Sequence, residues 1–200
     1  MVSARIYIEG GGDSKELHAR CREGLRRLLE RCGFAGRMPR LVACGSRGDV
    51  FGDFSTAHRN AQGAACVAML IDSEDPVVDV EQTWAHLNQR DKWEKPYGAG
   101  DEQVLLMTTC METWIATDRR ALRDHFKGCL EESALPSLTE MESRQRRAIL
   151  NALVQATRTC KTAYTKGRRS FELVGGLDPA VLREHLPSFA RCERVLTRKL

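Results

Sequence analysis

The sequence has no pair of cysteines in the CxxC spacing, although eight of its 200 residues are cysteine. Successive cysteines are at least 11 residues apart. Zinc knuckles and ribbons hold their metal with closely spaced cysteine pairs, so this spacing argues against such a site. We expect the cysteines to be small, buried apolar side chains, as is common in proteins of a reducing compartment.

Other signatures are missing as well. No run of about 18 apolar residues is present, which excludes a typical membrane-spanning helix. The opening residues, MVSARIYIEGGG, do not have the pattern of a secretory signal, so we expect a cytoplasmic protein. The glycines at 10–12 are not followed by the Gly-Lys-Ser/Thr of a Walker loop, and no Gly-x-Ser-x-Gly elbow occurs. We therefore expect neither ATPase nor serine-hydrolase activity.

The net charge is only +4, which does not by itself indicate a nucleic-acid-binding protein. The charge is distributed unevenly, however. Residues 1–118 contain 14 basic and 18 acidic residues, whereas residues 119–200 contain 17 basic and 9 acidic residues. This division is typical of a metal-holding half followed by an anion-facing half. The alternative is two solvated surfaces that differ in charge.

The first two thirds of the chain alternate between β-type and α-type patterns. Short apolar runs predict four strands at 5–8, 40–44, 65–71 and 104–107. Helical spacing predicts helices at 14–32, 54–62, 79–90 and from Glu112 to about 126, the first two capped by Asp13 and Ser55. The continuous apolar run at 65–71 is typical of a strand buried on both faces of a parallel sheet. Together these elements predict an open, mainly parallel α/β sheet flanked by helices.

The last third is predicted to be helical. Thr139 and Glu142 have the spacing of a capping box for a long helix to about 157. Asp178 followed by Pro179 predicts another helix start, and a last helix begins near 188. The best boundary lies at 130–138. We predict an α/β core over 1–130 and a basic helical extension over 131–200 that packs on it, with one domain over 1–200 as the alternative.

Acidic residues follow three of the predicted strands. Glu9 follows the first strand, Asp72 and Glu74 follow the third, and Glu112 lies just past the fourth. Ligands of open α/β sheets bind at this edge, and carboxylates gathered there repel each other unless a cation lies between them. Oxygen ligands without histidine or cysteine suit Mg²⁺ or Mn²⁺. The alternative is that these acids are ordinary turn and cap residues.

The order of these acids resembles the Toprim fold, the metal-binding α/β domain of topoisomerases, primases and overcoming-lysogenization-defect nucleases. Toprim domains have a glutamate in a Glu-Gly turn after the first strand and an Asp-x-Asp motif after a later one. Glu9-Gly10 matches the first motif. Asp72-Ser73-Glu74 matches the second with a longer side chain at its last position.

A closer resemblance is to a bacterial Toprim-like family, the domain-of-unknown-function family 4276. The segments that carry it lie at 6–29, 41–54, 70–77, 93–118 and 164–179. The resemblance implies a Toprim-like nuclease of an anti-phage defence locus, encoded beside an ABC-type ATPase. Because Toprim nucleases commonly use a lysine to stabilise the charge of the transition state, it also implies a catalytic role for Lys166.

Basic residues near this lysine form a candidate nucleic-acid surface. A basic cluster with one aromatic side chain suits contact with backbone phosphates and a stacked base. This cluster consists of Lys161, Tyr164, Lys166, Arg168 and Arg169. Two further candidates for phosphate contact are Lys15, in the first turn of the first helix, and Arg47, in a glycine-flanked loop. The alternative for each is a solvated surface position.

The leading hypothesis is a Mg²⁺- or Mn²⁺-dependent nuclease acting on DNA or RNA. Glu9, Asp72 and Glu74 would hold the metal, with Glu112 completing the site, and Lys166 would contact the phosphate. The expected partner is an ABC-type ATPase, and no membrane is involved. The sequence does not determine whether the chain forms homo-oligomers. Two alternatives remain: a non-catalytic subunit of that ATPase, and a metal-dependent phosphohydrolase that acts on a small phosphorylated substrate.

Overall fold

A four-stranded parallel sheet lies at the centre of the protein, whose computed structural model describes residues 4–61 and 66–200. The strands run in the order β2-β1-β3-β4. Their bounds are β1 (Ala4–Glu9), β2 (Arg40–Gly45), β3 (Cys66–Asp72) and β4 (Val104–Met107). All four predicted strands are therefore confirmed, except that residue 65 lies outside the described residues.

Helices flank the sheet and make up most of the last third of the chain. They are α1 (Lys15–Leu29), α2 (Arg47–Asn60), α3 (Thr83–Asp91), α4 (Met111–Thr117), α5 (Arg119–Phe126), α6 (Arg146–Ala156), α7 (Arg168–Val174), α8 (Pro179–His185) and α9 (Pro187–Lys199). The predicted class, an open parallel α/β sheet with a helical C-terminal region, is confirmed. Within the described ranges, no helix combines the length and apolar character needed to cross a bilayer.

Two predicted helix caps are wrong because a different residue, a serine in each case, provides the cap. Ser14, not Asp13, accepts a hydrogen bond from the Leu17 N–H at the start of α1. Helix α2 begins at Arg47, well before the predicted residue 54, because Ser46 leaves β2 in an extended conformation and caps the helix. Gly48 and Gly52 have low helix propensity, which hid the first two turns of α2 from the sequence pattern.

The start predicted at Thr139 and Glu142 for the next helix is also wrong, although the helix itself is present and ends close to the predicted residue 157. Helix α6 begins at Arg146, and the Glu142 carboxylate instead accepts hydrogen bonds from the N–H and hydroxyl of Ser188 in α9. The helix predicted from Glu112 to 126 is broken at Asp118. One oxygen of Asp118 accepts from the Ala121 N–H and caps α5, and the other accepts from Asp178 N–H. Asp178 caps α8 as predicted.

The interpretation of all the cysteines as isolated thiols is wrong for two of them. Cys129 and Cys160 form a disulfide that joins the segment after α5 to the turn after α6. Cys21, Cys110 and Cys192 are free and buried, as expected. The bridge was not predictable from spacing, because the two residues are 31 positions apart and meet only through the packing of the helical region.

The larger hydrophobic core joins the sheet to the C-terminal helices. Ile8 and Met107 of the sheet share this core with Leu153 and Leu182, and Trp114 packs edge-on against Phe189. A second, smaller core lies under α2 and α3 on the other face of the sheet. The segment after the predicted boundary at 130–138 therefore packs directly on one face of the sheet.

A glycine allows α1 and α7 to pack in backbone contact, which provides a test of the fold. A Cβ atom at Gly24 would overlap the Phe171 carbonyl oxygen, whereas a Cβ at Gly52 of α2 would meet nothing within 4 Å. We expect Gly24→Ala to destabilise the protein by about 2 kcal/mol or more through overpacking. Gly52→Ala, the matched helical control, should stabilise it by up to about 1 kcal/mol. Urea unfolding of both variants measures the difference, and equal effects would contradict this packing.

Candidate functional site

Three acidic residues are fixed at the carboxyl edge of the sheet by backbone pairing. Glu9 and Asp72 are the last residues of β1 and β3. Beyond β3, the N–H groups of Ser73 and Glu74 donate to Met107 and Thr109 at 3.1 and 2.8 Å. This pairing holds Glu74 with a positive φ of 68°, a conformation that costs energy in a non-glycine residue and is often found at functional sites.

The predicted convergence of these acids is present in the structure. One carboxylate oxygen from each of Glu9, Asp72 and Glu74 lies within 4.8 Å of the others. Glu9 Oε2 also accepts from the Asp72 N–H at 3.2 Å, and Asp72 Oδ1 accepts from the Met111 N–H at 2.9 Å. The first and third strands therefore hold these oxygens at a spacing that one divalent cation can bridge.

Burial and mutual repulsion make ionisation of this group costly. Desolvation, followed by the charges of Glu9 and Glu112, raises the pKa of Asp72 well above its ordinary value. Desolvation also raises the pKa of Glu9, against the opposing effect of the Arg47 guanidinium. A bound cation would relieve this repulsion, and carboxylates with raised pKa values beside a cleft are typical of functional sites.

Glu112 lies beside this group and is its most deeply buried carboxylate. The residue is 2% exposed, and the Tyr164 hydroxyl donates to its Oε1 at 2.9 Å. Lys166 Nζ lies 3.3 Å from Oε2 but outside hydrogen-bond geometry, so Oε2 is a buried acceptor without a hydrogen-bond partner among the described residues. Glu112 is not one of the three oxygens within 4.8 Å of one another, so its place as a metal ligand stays a prediction.

A cleft of about 290 Å³ opens above these groups. Its polar lining comprises Glu9, Asp72, Glu112, Arg146, Lys166 and Ser170, and its remaining walls are Gly10–Gly12, Leu17, Gly45, Met111, Gly167 and Phe171. Three acids and two basic side chains of the C-terminal region therefore line the same cleft. Acidic residues from the first part of the chain and basic residues from its last third therefore meet at this cleft.

Glycines form the wall next to Glu9. Gly10, Gly11 and Gly12 all have positive φ, and the Gly10 N–H donates to the Gly45 carbonyl at 3.0 Å. A Cβ at Gly45 would overlap the Gly12 carbonyl oxygen. The turn after β1 therefore packs directly on the turn after β2, which fixes the direction in which Glu9 leaves the sheet.

Arg47 lies at the site, but its charge is already engaged. It forms an ion pair with Asp91 at 2.7 Å, lies 3.5 Å from Glu9 and donates to the Asp72 carbonyl. Its guanidinium also packs over the Trp93 ring. Asp91 is desolvated, but hydrogen bonding and the charge of Arg47 outweigh this and lower its pKa. Arg47 therefore supports the acid group rather than pointing a free charge at a substrate.

Only part of the predicted basic cluster reaches the cleft. Tyr164 is 2% exposed, and burial, then the Glu112 charge, raises its pKa. Its ring is therefore not available to stack on a base, contrary to expectation. Arg168 pairs with Glu172, and Arg169 donates to the Thr162 carbonyl.

Two further lysines of the prediction are separated from the acids. Lys161 and Lys15 are exposed and do not line the cleft. Tyr164 and Lys166 of the five-residue cluster both contact Glu112, but Tyr164 is buried, whereas the Lys166 side chain remains 42% exposed. The structure therefore places Lys166 at the cleft, and its catalytic role stays a prediction.

Three functional candidates were missed by the sequence analysis. Arg146 and Arg90 both contact Glu74, the latter at 3.8 Å, and Ser170 hydrogen-bonds with the Tyr164 hydroxyl at 2.8 Å. Arg90 also pairs with Asp75 and Asp91. No sequence motif marks these residues, because each reaches the site from a helix end or helical segment distant in sequence.

Comparison with known proteins gives one match. The family model described as Domain of unknown function (DUF4276) matches residues 8–197. No curated protein and no solved structure matches the chain significantly. The relation to the Toprim fold stays a prediction.

Proposed function

This chain belongs to the DUF4276 family, and we propose that it is a Mg²⁺-dependent nuclease that hydrolyses the phosphodiester bonds of nucleic acid. The observation that carries the proposal is the meeting of Glu9, Asp72 and Glu74 within 4.8 Å, beside a cleft that Glu9 and Asp72 line together with Lys166 and Arg146. Acidic groups for a metal and basic groups for a phosphate thus share one small volume.

The residues present fit a hard divalent cation. The donor set is made of carboxylate oxygens, which Mg²⁺ and Mn²⁺ prefer. Glu112 Oε2 has Lys166 as a counter-charge at 3.3 Å but no hydrogen-bond partner among the described residues, so it is a further buried acceptor that a ligand in the cleft would satisfy. When bound, the metal would supply activation of water and neutralisation of phosphate charge.

The chain's own basic residues would position the substrate. Lys166 and Arg146 line the cleft from the C-terminal region, so their charges face the same space as the acids. Each can donate charge-assisted hydrogen bonds to phosphate oxygens. Tyr164 and Glu112 would hold Lys166 in place, since the three groups form a chain of contacts at 2.9 and 3.3 Å.

A second candidate function is hydrolysis of a small phosphate ester. A cleft of about 290 Å³ is at the lower end of small-molecule sites, which hold about 300–1,000 Å³. The burial of Tyr164 and the pairing of Arg168 with Glu172 also remove two contacts expected for a polymer. This substrate class would use the same acids and the same Lys166.

The proposal is tested by incubating the purified protein with plasmid, single-stranded DNA or total RNA. Each substrate is tested with Mg²⁺, with Mn²⁺ and with EDTA. We expect metal-dependent cleavage of at least one polymer. Glu9→Gln keeps one oxygen ligand but removes the charge, so cleavage should fall about tenfold or more. Glu16→Gln, a change on the exposed face of α1, is the matched control and should cleave like the wild type.

Small chromogenic esters separate the two candidates. Cleavage of bis-p-nitrophenyl phosphate together with a polymer supports the nuclease, whereas turnover of p-nitrophenyl phosphate or nucleotides without polymer cleavage supports the second candidate. A chain that hydrolyses none of these substrates, alone or with the neighbouring ATPase and ATP, would contradict both and favour a non-catalytic subunit.

The cellular setting is proposed from the family resemblance alone. An ABC-type ATPase encoded nearby would be the partner, and defence against phage the role. Co-purification of the two proteins tests the partnership, and loss of phage protection in a Glu9→Gln strain tests the role.

A further inference from the structure

Arg146 occupies the point at which the acid group and the open cleft meet. It is the first residue of α6, and its guanidinium contacts the Glu74 carboxylate. Its side chain is 36% exposed and lines the cleft together with Lys166. Arg146 therefore touches an acid of the candidate metal group on one side and the substrate space on the other.

The N-terminus of α6 is electrostatically unfavourable for the Arg146 guanidinium unless an acidic partner lies nearby. A helix N-terminus carries partial positive charge and favours acidic side chains. Helix α6 has no acid in its first turn and begins with Arg146 and Arg147. Glu74 supplies the missing negative charge from the loop after β3, so the contact compensates for the unfavourable position of Arg146.

Arg146 and Arg90 depend on Glu74 to different extents. Arg90 reaches Glu74 at 3.8 Å but also pairs with Asp75 and Asp91, so it keeps partners when Glu74 is engaged elsewhere. In the described part of the chain, Glu74 is the one acid that pairs with Arg146. A divalent cation on Glu74 would repel both guanidiniums, and Arg146 would lose its partner.

We propose that Arg146 exchanges partners: it holds Glu74 in the metal-free protein and, when a divalent cation takes Glu74, donates to a phosphate oxygen of the substrate in the cleft. This inference rests on the proposed function. The exchange keeps the acid group compact without metal and adds a phosphate-binding group only after the metal has bound. Arg146 would thereby make substrate binding depend on metal binding, and Lys166, which lines the same cleft, would also contact the phosphate.

The test measures metal binding and substrate binding separately, on the full chain. Free Mn²⁺ is followed by electron paramagnetic resonance, and binding of labelled oligothymidylate and oligouridylate is followed by fluorescence anisotropy with Ca²⁺ in place of Mg²⁺. We expect Arg146→Ala to bind Mn²⁺ about threefold or more tightly, because a competing cation is gone. We expect it to bind the oligonucleotide about tenfold more weakly in the presence of metal.

Matched variants exclude a general effect of charge or folding. Arg147→Ala removes the same charge from the next residue, which is exposed, and should change Mn²⁺ affinity by less than about twofold. Arg146→Lys should restore part of the oligonucleotide binding. Circular dichroism confirms that each variant is folded.

Each result decides the proposal. Unchanged or weaker Mn²⁺ binding in Arg146→Ala overturns the competition, and unchanged oligonucleotide binding overturns the contact with phosphate. A wild-type chain that binds Mn²⁺ and cleaves nucleic acid while Arg146→Ala behaves like Arg147→Ala rejects this inference and leaves the nuclease proposal standing. A wild-type chain that binds Mn²⁺ no better than Asp72→Asn rejects both.

Discussion

An Asp72→Asn variant is expected to be more stable than the wild-type chain in metal-free solution and to lose almost all metal-dependent cleavage. Asp72 is 7% exposed, and desolvation with the charges of Glu9 and Glu112 raises its pKa. An asparagine oxygen can still accept from the Met111 N–H but carries no charge. We expect a gain of about 1–3 kcal/mol in the free energy of unfolding at neutral pH. The loss of cleavage should be on the order of 1,000-fold.

The pH dependence of this effect follows from the direction of the shift. Because the pKa of Asp72 is higher in the folded than in the unfolded chain, the folded protein binds the proton more tightly. This contribution makes the wild type less stable as pH rises from the ordinary range of aspartate through the raised pKa. Asp72→Asn lacks the contribution, so its advantage should be smallest at acid pH and grow towards neutrality. Urea unfolding at a series of pH values without metal measures it.

Added metal should reverse the order of stability. A cation that binds only the folded wild type stabilises it by mass action, whereas Asp72→Asn should respond weakly. Asp75→Asn, an exposed acid in the same loop, serves as the control and should show neither the gain in stability nor the loss of cleavage. If Asp72→Asn were less stable than the wild type, or kept its full response to Mg²⁺, Asp72 would be a structural residue and not a metal ligand.

Much of the fold was predictable because its local patterns and its tertiary environment agree. The strand over Val104–Met107 was predicted to the residue, since four consecutive apolar side chains are buried on both faces of the sheet. Helix starts were less predictable. Ser14 took the cap expected at Asp13, because both neighbouring side chains can cap a helix. Ser46 caps α2 well before the expected Ser55, because Gly48 and Gly52 weaken the helical pattern of its first turns.

The acids of the candidate site were predictable for a topological reason. Parallel strands bring their carboxyl ends to one edge, so Glu9 and Asp72 had to approach each other once β1 and β3 paired. The basic residues follow no such rule. Arg146 and Arg90 reach Glu74 from two helices whose placement depends on tertiary packing.

The exposure of Tyr164 was predicted wrongly because a tyrosine among basic residues is usually exposed. In the structure its hydroxyl donates to the buried Glu112 carboxylate, which places the ring in the core.

Removing the charge of Lys166 is expected to affect both stability and cleavage. Glu112 is buried, and its Oε2 has Lys166 as its close counter-charge at 3.3 Å. Lys166→Met would leave this carboxylate uncompensated. The cost should be about 1–2 kcal/mol, reduced from that of a fully buried pair because the lysine side chain is 42% exposed. Cleavage should fall on the order of 100-fold if Lys166 also contacts the phosphate.

The double variant Glu112→Gln with Lys166→Met separates the two effects. The glutamine oxygen can still accept from Tyr164, and no charge remains buried, so stability should return to that of the wild type or above. Cleavage should not return, because the group that contacts the phosphate is absent. Lys95→Met, at an exposed position outside the cleft, controls for the loss of a surface charge. If cleavage recovered together with stability, Lys166 would act only by neutralising Glu112, and the phosphate would have to be held by other residues of the cleft.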